Sequence, residues 1–211
     1  MTTIEQRKQL LAASIIKHLA HRNMQAFYCS TSQEAINKVL SLIPEGSSIS
    51  WGGSMTIRDM GLTEALHQKG TFRLLDRDLA TSREEAVKIY HEALSADYFL
   101  SSANAISEDG VIVNIDGNGN RVAAITFGPK KVIFVIGLNK VAQTAEAALA
   151  RARSTASPTN AARFDVQTPC HIDGVCHNCC SPDCICNYIH FLRHSPHGRH
   201  TVILVGEDLG Y

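Results

Sequence analysis

The sequence lacks an excess charge of either sign. Its 211 residues carry 20 Lys plus Arg against 20 Asp plus Glu, a formal net charge of zero. No global field therefore draws it toward nucleic acid or an anionic membrane. It also lacks a long apolar run. The best candidate, Val132-Ile133-Phe134-Val135-Ile136, has the length of a strand and falls well short of the roughly 20 residues that span a bilayer. No secretory leader is legible, because Glu5 and Lys8 interrupt the first apolar stretch and His18, His21 and Arg22 follow it. That stretch reads as an amphipathic helix. These absences predict a cytoplasmic protein whose thiols stay reduced. A flavin or nicotinamide motif is missing too, so in any redox chemistry the electrons must come from a partner or pass through the cysteine site.

The length fits a single domain, residues 1–211. A chain of this size buries roughly 70% of its unfolded surface, so it needs no disulfides to hold a core. Strand-like runs alternate with helical ones. Helices are predicted over 3–22 (capped by Thr3 with Gln6), 31–42, 55–68, 82–94 and 141–153. Strands are predicted over 26–29, 48–51, 72–75, 98–100 and 131–136. This rhythm predicts an α/β fold with a mostly parallel sheet flanked by helices. The rhythm breaks at Asp116-Gly117-Asn118-Gly119-Asn120, where five turn formers between β-rich runs predict an inserted β-hairpin of strands 110–115 and 121–127. Residues 154–160 have a linker composition. The expected layout is an α/β core over 1–160, a cysteine-rich loop over 161–187 and two terminal strands within 188–211. His194, His197 and His200, with Arg193 and Arg199, read as a basic surface loop.

Six of the seven cysteines lie between Cys170 and Cys186, in the pattern C-x5-C-x2-C-C-x3-C-x-C. In a reducing compartment such density points to a metal or an iron–sulfur cluster, with zinc as the alternative, rather than to disulfides. His171 and His177 are alternative zinc ligands. Cys179 and Cys180 are adjacent, so both binding one ion is geometrically awkward. Cys29, in a predicted strand, reads as a small buried hydrophobe.

Gly52-Gly53-Ser54-Met55-Thr56 sits where a strand passes into a helix. Glycines there admit a close ligand, and the free N–H groups favour a phosphate or carboxylate; a plain tight turn fits as well. Asn104, Glu108 and Asp109 precede the hairpin, where open α/β sheets bind ligands. Glu108 or Asp109 is the candidate general base, although a solvated turn also explains Asp109-Gly110. Asp116, Gly117, Asn118, Gly119 and Asn120 lack the later Glu of a calcium loop. Arg121 is a candidate partner for a substrate carboxylate.

The segments SWGGSMTIRDMGL, SSANAISEDGVIVNIDGNGNRVAAITFGPKKVIFVIGLNKV and TPCHIDGVCHNCCSPDCICN together resemble the lactate-utilisation (LUD) domain family, in its short, cysteine-bearing branch. The resemblance covers nearly the whole chain. It implies a fold similar to the NagB/RpiA/CoA-transferase-like group and a role in oxidising L-lactate to pyruvate beside iron–sulfur partner subunits. It also implies ligand contacts at Gly52, Gly53, Ser54, Met55, Thr56, Asn104, Asp116, Gly117, Asn118, Gly119 and Asn120. Glu108 and Asp109 match the family's motif as well. Metal ligands are implied at Cys170, Cys176, Cys179 and Cys186, with Cys180 and Cys184 as bystanders. A homodimer is expected by analogy of fold. The competing readings are a small-molecule isomerase or acyl-transfer enzyme and a non-catalytic metal-binding regulator.

Overall fold

The apolar runs within 132–136 and 201–205 become neighbouring parallel strands at the centre of the large sheet. The structure, a computed structural model, describes residues 2–211. The strands in chain order are β1 (Gln25–Cys29), β2 (Ser48–Trp51), β3 (Arg73–Leu75), β4 (Tyr98–Ser101), β5 (Ala105–Ser107), β6 (Ile112–Asp116), β7 (Lys131–Gly137), β8 (Val141–Ala142), β9 (Tyr188–Leu192) and β10 (His200–Val205). The large sheet is parallel throughout and runs β1-β10-β7-β4-β2-β3. A smaller sheet runs β8-β5-β6-β9.

The helices are α1 (Thr3–His21), α2 (Ser32–Leu42), α3 (Met55–Asp59), α4 (Leu62–Lys69), α5 (Arg83–Ala93), α6 (Asn120–Thr126), α7 (Ala145–Arg151), α8 (Ser157–Ala161) and α9 (Pro169–Asp173). Strand periodicity decides how they pack. In β7, Val132, Phe134 and Ile136 face Ala12, Ile15 and Leu19 of α1 and Ile125 of α6. Ile133 and Val135 point the other way, into a cluster with Ile36 and Val39 of α2 and Leu62 and Leu66 of α4. A strand buried on both faces reads as an unbroken apolar run, which explains its β-branched composition. A third cluster packs Ala105, Val113 and Ile115 of the small sheet against Ala148 and Ala152.

Several sequence expectations need correction. The inserted hairpin exists, but its strands are β5 and β6. Residues 121–127 are not its second strand; they form α6 and its C-cap, Phe127. Gly119 adopts φ 82 and its N–H donates to Asp116 Oδ1, so the chain turns into a helix. Val122 and Ile125, three apart, then share the buried face. The helix expected over 55–68 breaks at Gly61, again at φ 82. The supposed linker 154–160 is helical, a π segment (Ala152–Ala156) leading into α8. The cysteine segment opens with α9, Pro169 in its first turn, rather than as pure loop. The α1 capping box uses Thr2 and Glu5. His200 is buried, its ring bonded to Ser195 Oγ and the Ile125 carbonyl, and does not belong to a surface loop.

Candidate functional site: a cationic cleft beside a thiol cavity

Because the large sheet is parallel, the C-terminal ends of β2, β4 and β7 emerge side by side. Ligands of open α/β sheets bind at such an edge. Here the edge forms a cleft of about 1040 Å³. Gly53, Ser54, Met55 and Thr56 line it after β2, Ser102 and Asn104 after β4, and Lys140 after β7.

Lys140 forms the floor. It is only 3% exposed. Its Nζ donates to Thr56 Oγ1 at 2.8 Å, Ala103 O at 3.2 Å and Ser102 Oγ at 3.3 Å. All three partners are neutral. Burial, reinforced by the Arg151 and Arg121 cations and opposed only by Asp59, pushes its pKa down to about 7. A buried amine in this state gains from a nearby anion.

Arg121 has a different task. Its Nε donates to Asp116 Oδ2, Nη1 to Asn114 Oδ1 and the Ser102 carbonyl, and Nη2 to the Ile115 carbonyl and Asn104 Oδ1. Its five N–H groups are thereby consumed. It ties the 116–120 turn to the end of β4 and has no donor left for a substrate carboxylate. Gly52 makes room for it, since a Cβ there would stand 3.0 Å from Arg121 Cδ.

The expected ligand residues thus separate. Gly53, Ser54, Met55, Thr56, Asn104, Asp116, Gly117, Asn118 and Asn120 reach the cleft. Gly52 backs Arg121, and Gly119 caps α6 against the Tyr188 ring. Glu108 and Asp109 lie outside, in the β5–β6 turn. Asp109 pairs with Arg22 and accepts from Ser107 Oγ. Burial works to raise its pKa, but Ser107 and Arg22 hold the carboxyl below its ordinary value. This pair fastens α1 to the small sheet, so the general-base assignment finds no support in the geometry. Trp51 is core, edge-on to His67.

The sequence pattern did not single out Lys140, Arg58, Arg77, Arg83 or Arg163, all of which line the cleft. A Lys just beyond the apolar run Val132 to Ile136 was the available signal for Lys140. The arginines carry none.

The second cavity, about 50 Å³, is lined by Cys170, Cys176, Cys179, Cys184 and Cys186, with Arg153 alongside. All seven thiols of the chain are free. Cys180 is exposed, and Cys29 sits in the core of the large sheet. Cys184, expected as a bystander, faces the cavity with the others, because the turn closed by its N–H to the Ser181 carbonyl swings it inward. Burial, with Cys184, Cys170 and Cys176 nearby, raises the Cys186 thiol. Among the described residues no group of three or more His, Cys, Asp and Glu side chains is placed to hold a metal ion as it stands.

The two cavities share a wall. Ile115 and Ile185 line both. Asn187 Nδ2 donates to the Gly117 carbonyl at 3.0 Å and the Cys184 carbonyl at 3.1 Å, stitching the cleft turn to the cysteine segment.

The LUD domain profile matches residues 12–205. The chain belongs to the LUD domain family. That family is associated with lactate utilisation in general. Among solved structures, this LUD chain is similar to a DUF162 family protein from Deinococcus radiodurans, at a TM-score of 0.57 and 14% identity over 94% of this chain and 98% of that one. A ribose 5 phosphate isomerase A from Neisseria gonorrhoeae matches at a TM-score of 0.36 and 17% identity, over 55% of this chain and 56% of that one. No curated protein matches. Among the described residues of this LUD protein, no helix is long and apolar enough to cross a membrane.

Proposed function

We propose that the protein is an accessory, electron-transferring component of L-lactate utilisation, in which an anionic small molecule occupies the cleft and a thiolate-held iron–sulfur cluster occupies the cysteine cavity. Zinc is the alternative occupant. The observation that supports this reading is the shared wall of Ile115 and Ile185; a redox group held by the thiols would lie beside an anion held in the cleft. The donor set fits a cluster in kind and number, with five soft thiols around one cavity. Loading requires the sulfurs to close in, because among the described residues no such group is pre-assembled. When bound, a cluster would supply one-electron transfer. This chain's own residues would hold the anion over Lys140, keep the cleft turn in place through Arg121 and screen the thiol site with the two isoleucines. Electrons would pass to iron–sulfur partner subunits from a cytoplasmic protein acting alone or as a homodimer.

A second reading, a small-molecule isomerase or acyl-transfer enzyme, draws on the buried amine of Lys140 in the cleft. A non-catalytic metal-binding regulator would need the cysteine cavity alone.

Iron, acid-labile sulfide and zinc measured on anaerobically purified protein separate these. The expected result is a brown protein containing iron and sulfide. Cys170→Ser and Cys186→Ser should lose the metal, while Cys180→Ser keeps it. A colourless protein containing zinc would sink the electron-transfer role.

A further inference from the structure

We propose that the cleft takes a phosphate monoester, its dianionic head held on the outer wall by Arg77, Arg83 and Arg58 and the rest of the molecule extending toward Lys140. The inference rests on the cleft being the ligand site and is indifferent to what the thiols hold.

Pockets for drug-sized ligands occupy about 300–1,000 Å³, and this one reaches about 1040 Å³. Lactate, a three-carbon acid, leaves most of it unfilled.

Arg58, Arg77 and Arg83 line the cleft, the first two joined through the one carboxylate among them, Asp78. That leaves a net charge of plus two, which matches a phosphomonoester dianion better than a carboxylate. Asp76 does not change the balance at the surface of the wall. It faces inward, contacting His67 Nε2 at 3.0 Å and accepting from the Asp78 backbone N–H. Glu85 is likewise turned back onto Thr81.

The guanidiniums are held in place by their neighbours. Arg77 lies against the Tyr90 ring and donates to its hydroxyl at 2.6 Å. Gly53 lets it reach the cleft, since a Cβ at that position would collide with Arg77 Nη2. Arg58 Nη2 is held by Asp78 at 2.6 Å. In both residues the Nε is buried with no hydrogen-bond partner. Asp78 Oδ1 stands 3.6 Å from Arg77 Nε, an ionic contact beyond hydrogen-bond reach. A ligand reaches the Nη groups rather than these enclosed Nε atoms: Arg77 Nη2 stands beside Gly53 on the cleft lining, and oxygens of a phosphate are the acceptors that suit the fixed fork of an arginine. Arg83, exposed at the start of α5, can close over the head from outside.

Titration calorimetry with phosphoglycerate, glycerate, inorganic phosphate and L-lactate at one ionic strength tests this. Phosphoglycerate should bind about tenfold or more tightly than glycerate, as one or two charge-assisted bonds imply, and more tightly than inorganic phosphate. Arg83→Ala should weaken phosphoglycerate about three- to tenfold and leave glycerate unchanged. Arg77→Lys should weaken it as well, with the fold kept. Equal binding of phosphoglycerate and glycerate, no binding of either, or indifference to both substitutions would overturn the proposal. Inorganic phosphate binding as tightly as the ester would overturn the extended ligand. Tight binding of L-lactate without phosphoglycerate would overturn this inference and leave the lactate reading standing.

Discussion

Replacing Arg121 with Leu should lower the melting temperature by roughly 6–20 °C, from about 3–5 kcal/mol for breaking a buried ion pair and 2–4 °C per kcal/mol in a chain of this size. The side chain is 16% exposed and its partner Asp116 8%. Leu removes every donor at once. It strands the Asp116 carboxylate with only the Gly119 N–H, and leaves Asn104 and Asn114 without their guanidinium contacts. The loss comes chiefly from what is left unpaired, not from the attraction itself. Lys should recover little, because an ammonium offers three donors at one point where the site needs a planar fork. Thermal unfolding followed by circular dichroism reads the effect. A shift below about 2 °C would mean that the network is wet and weak.

The second large effect is a pH dependence. The unfolding free energy of the wild type, measured relative to Lys140→Met, should rise by roughly 3–4 kcal/mol between about pH 7 and pH 10. The sign follows from proton counts. In the unfolded chain the amine has an ordinary value near 10.5, whereas burial in the folded chain brings it to about 7. Between those values the unfolded state binds more protons, so stability increases with pH. Below about pH 7 both states are protonated and the penalty for burying the cation is complete and constant. Met also loses the bonds to Thr56, Ser102 and Ala103, but that loss does not titrate and cancels from the slope. Urea denaturation at each pH gives the difference. A flat difference would show that Lys140 keeps an ordinary pKa.

The parallel sheet was legible because its central strands are buried on both faces and carry unbroken apolar runs, Val132 to Ile136 in β7 and Val202 to Val205 in β10. Residues 121–127 misled for a local reason. Val122, Ala124 and Thr126 mimic a period of two, yet Gly119 and the Asp116 side chain start a helix before a strand can form. The cysteine cavity was legible as density of thiols, and its membership was not. Cys184 joins because a turn at Ser181 points it inward, whereas adjacent Cys180 is turned out. The cleft turn and glycine loop carried a pattern. The cations did not, because Arg58, Lys140, and Arg77 with Arg83 come from three separate segments that only the fold brings together.

The cleft over Lys140 takes an anion. Calorimetric titration of pyruvate and of phosphoglycerate at pH 7, in two buffers of different ionisation enthalpy, tests it directly. An anion beside a half-protonated Lys140 raises its pKa, so binding of the tighter anion should take up roughly half a proton, and Lys140→Met should take up none. Absence of binding by both anions, or the same uptake in the variant, would contradict it.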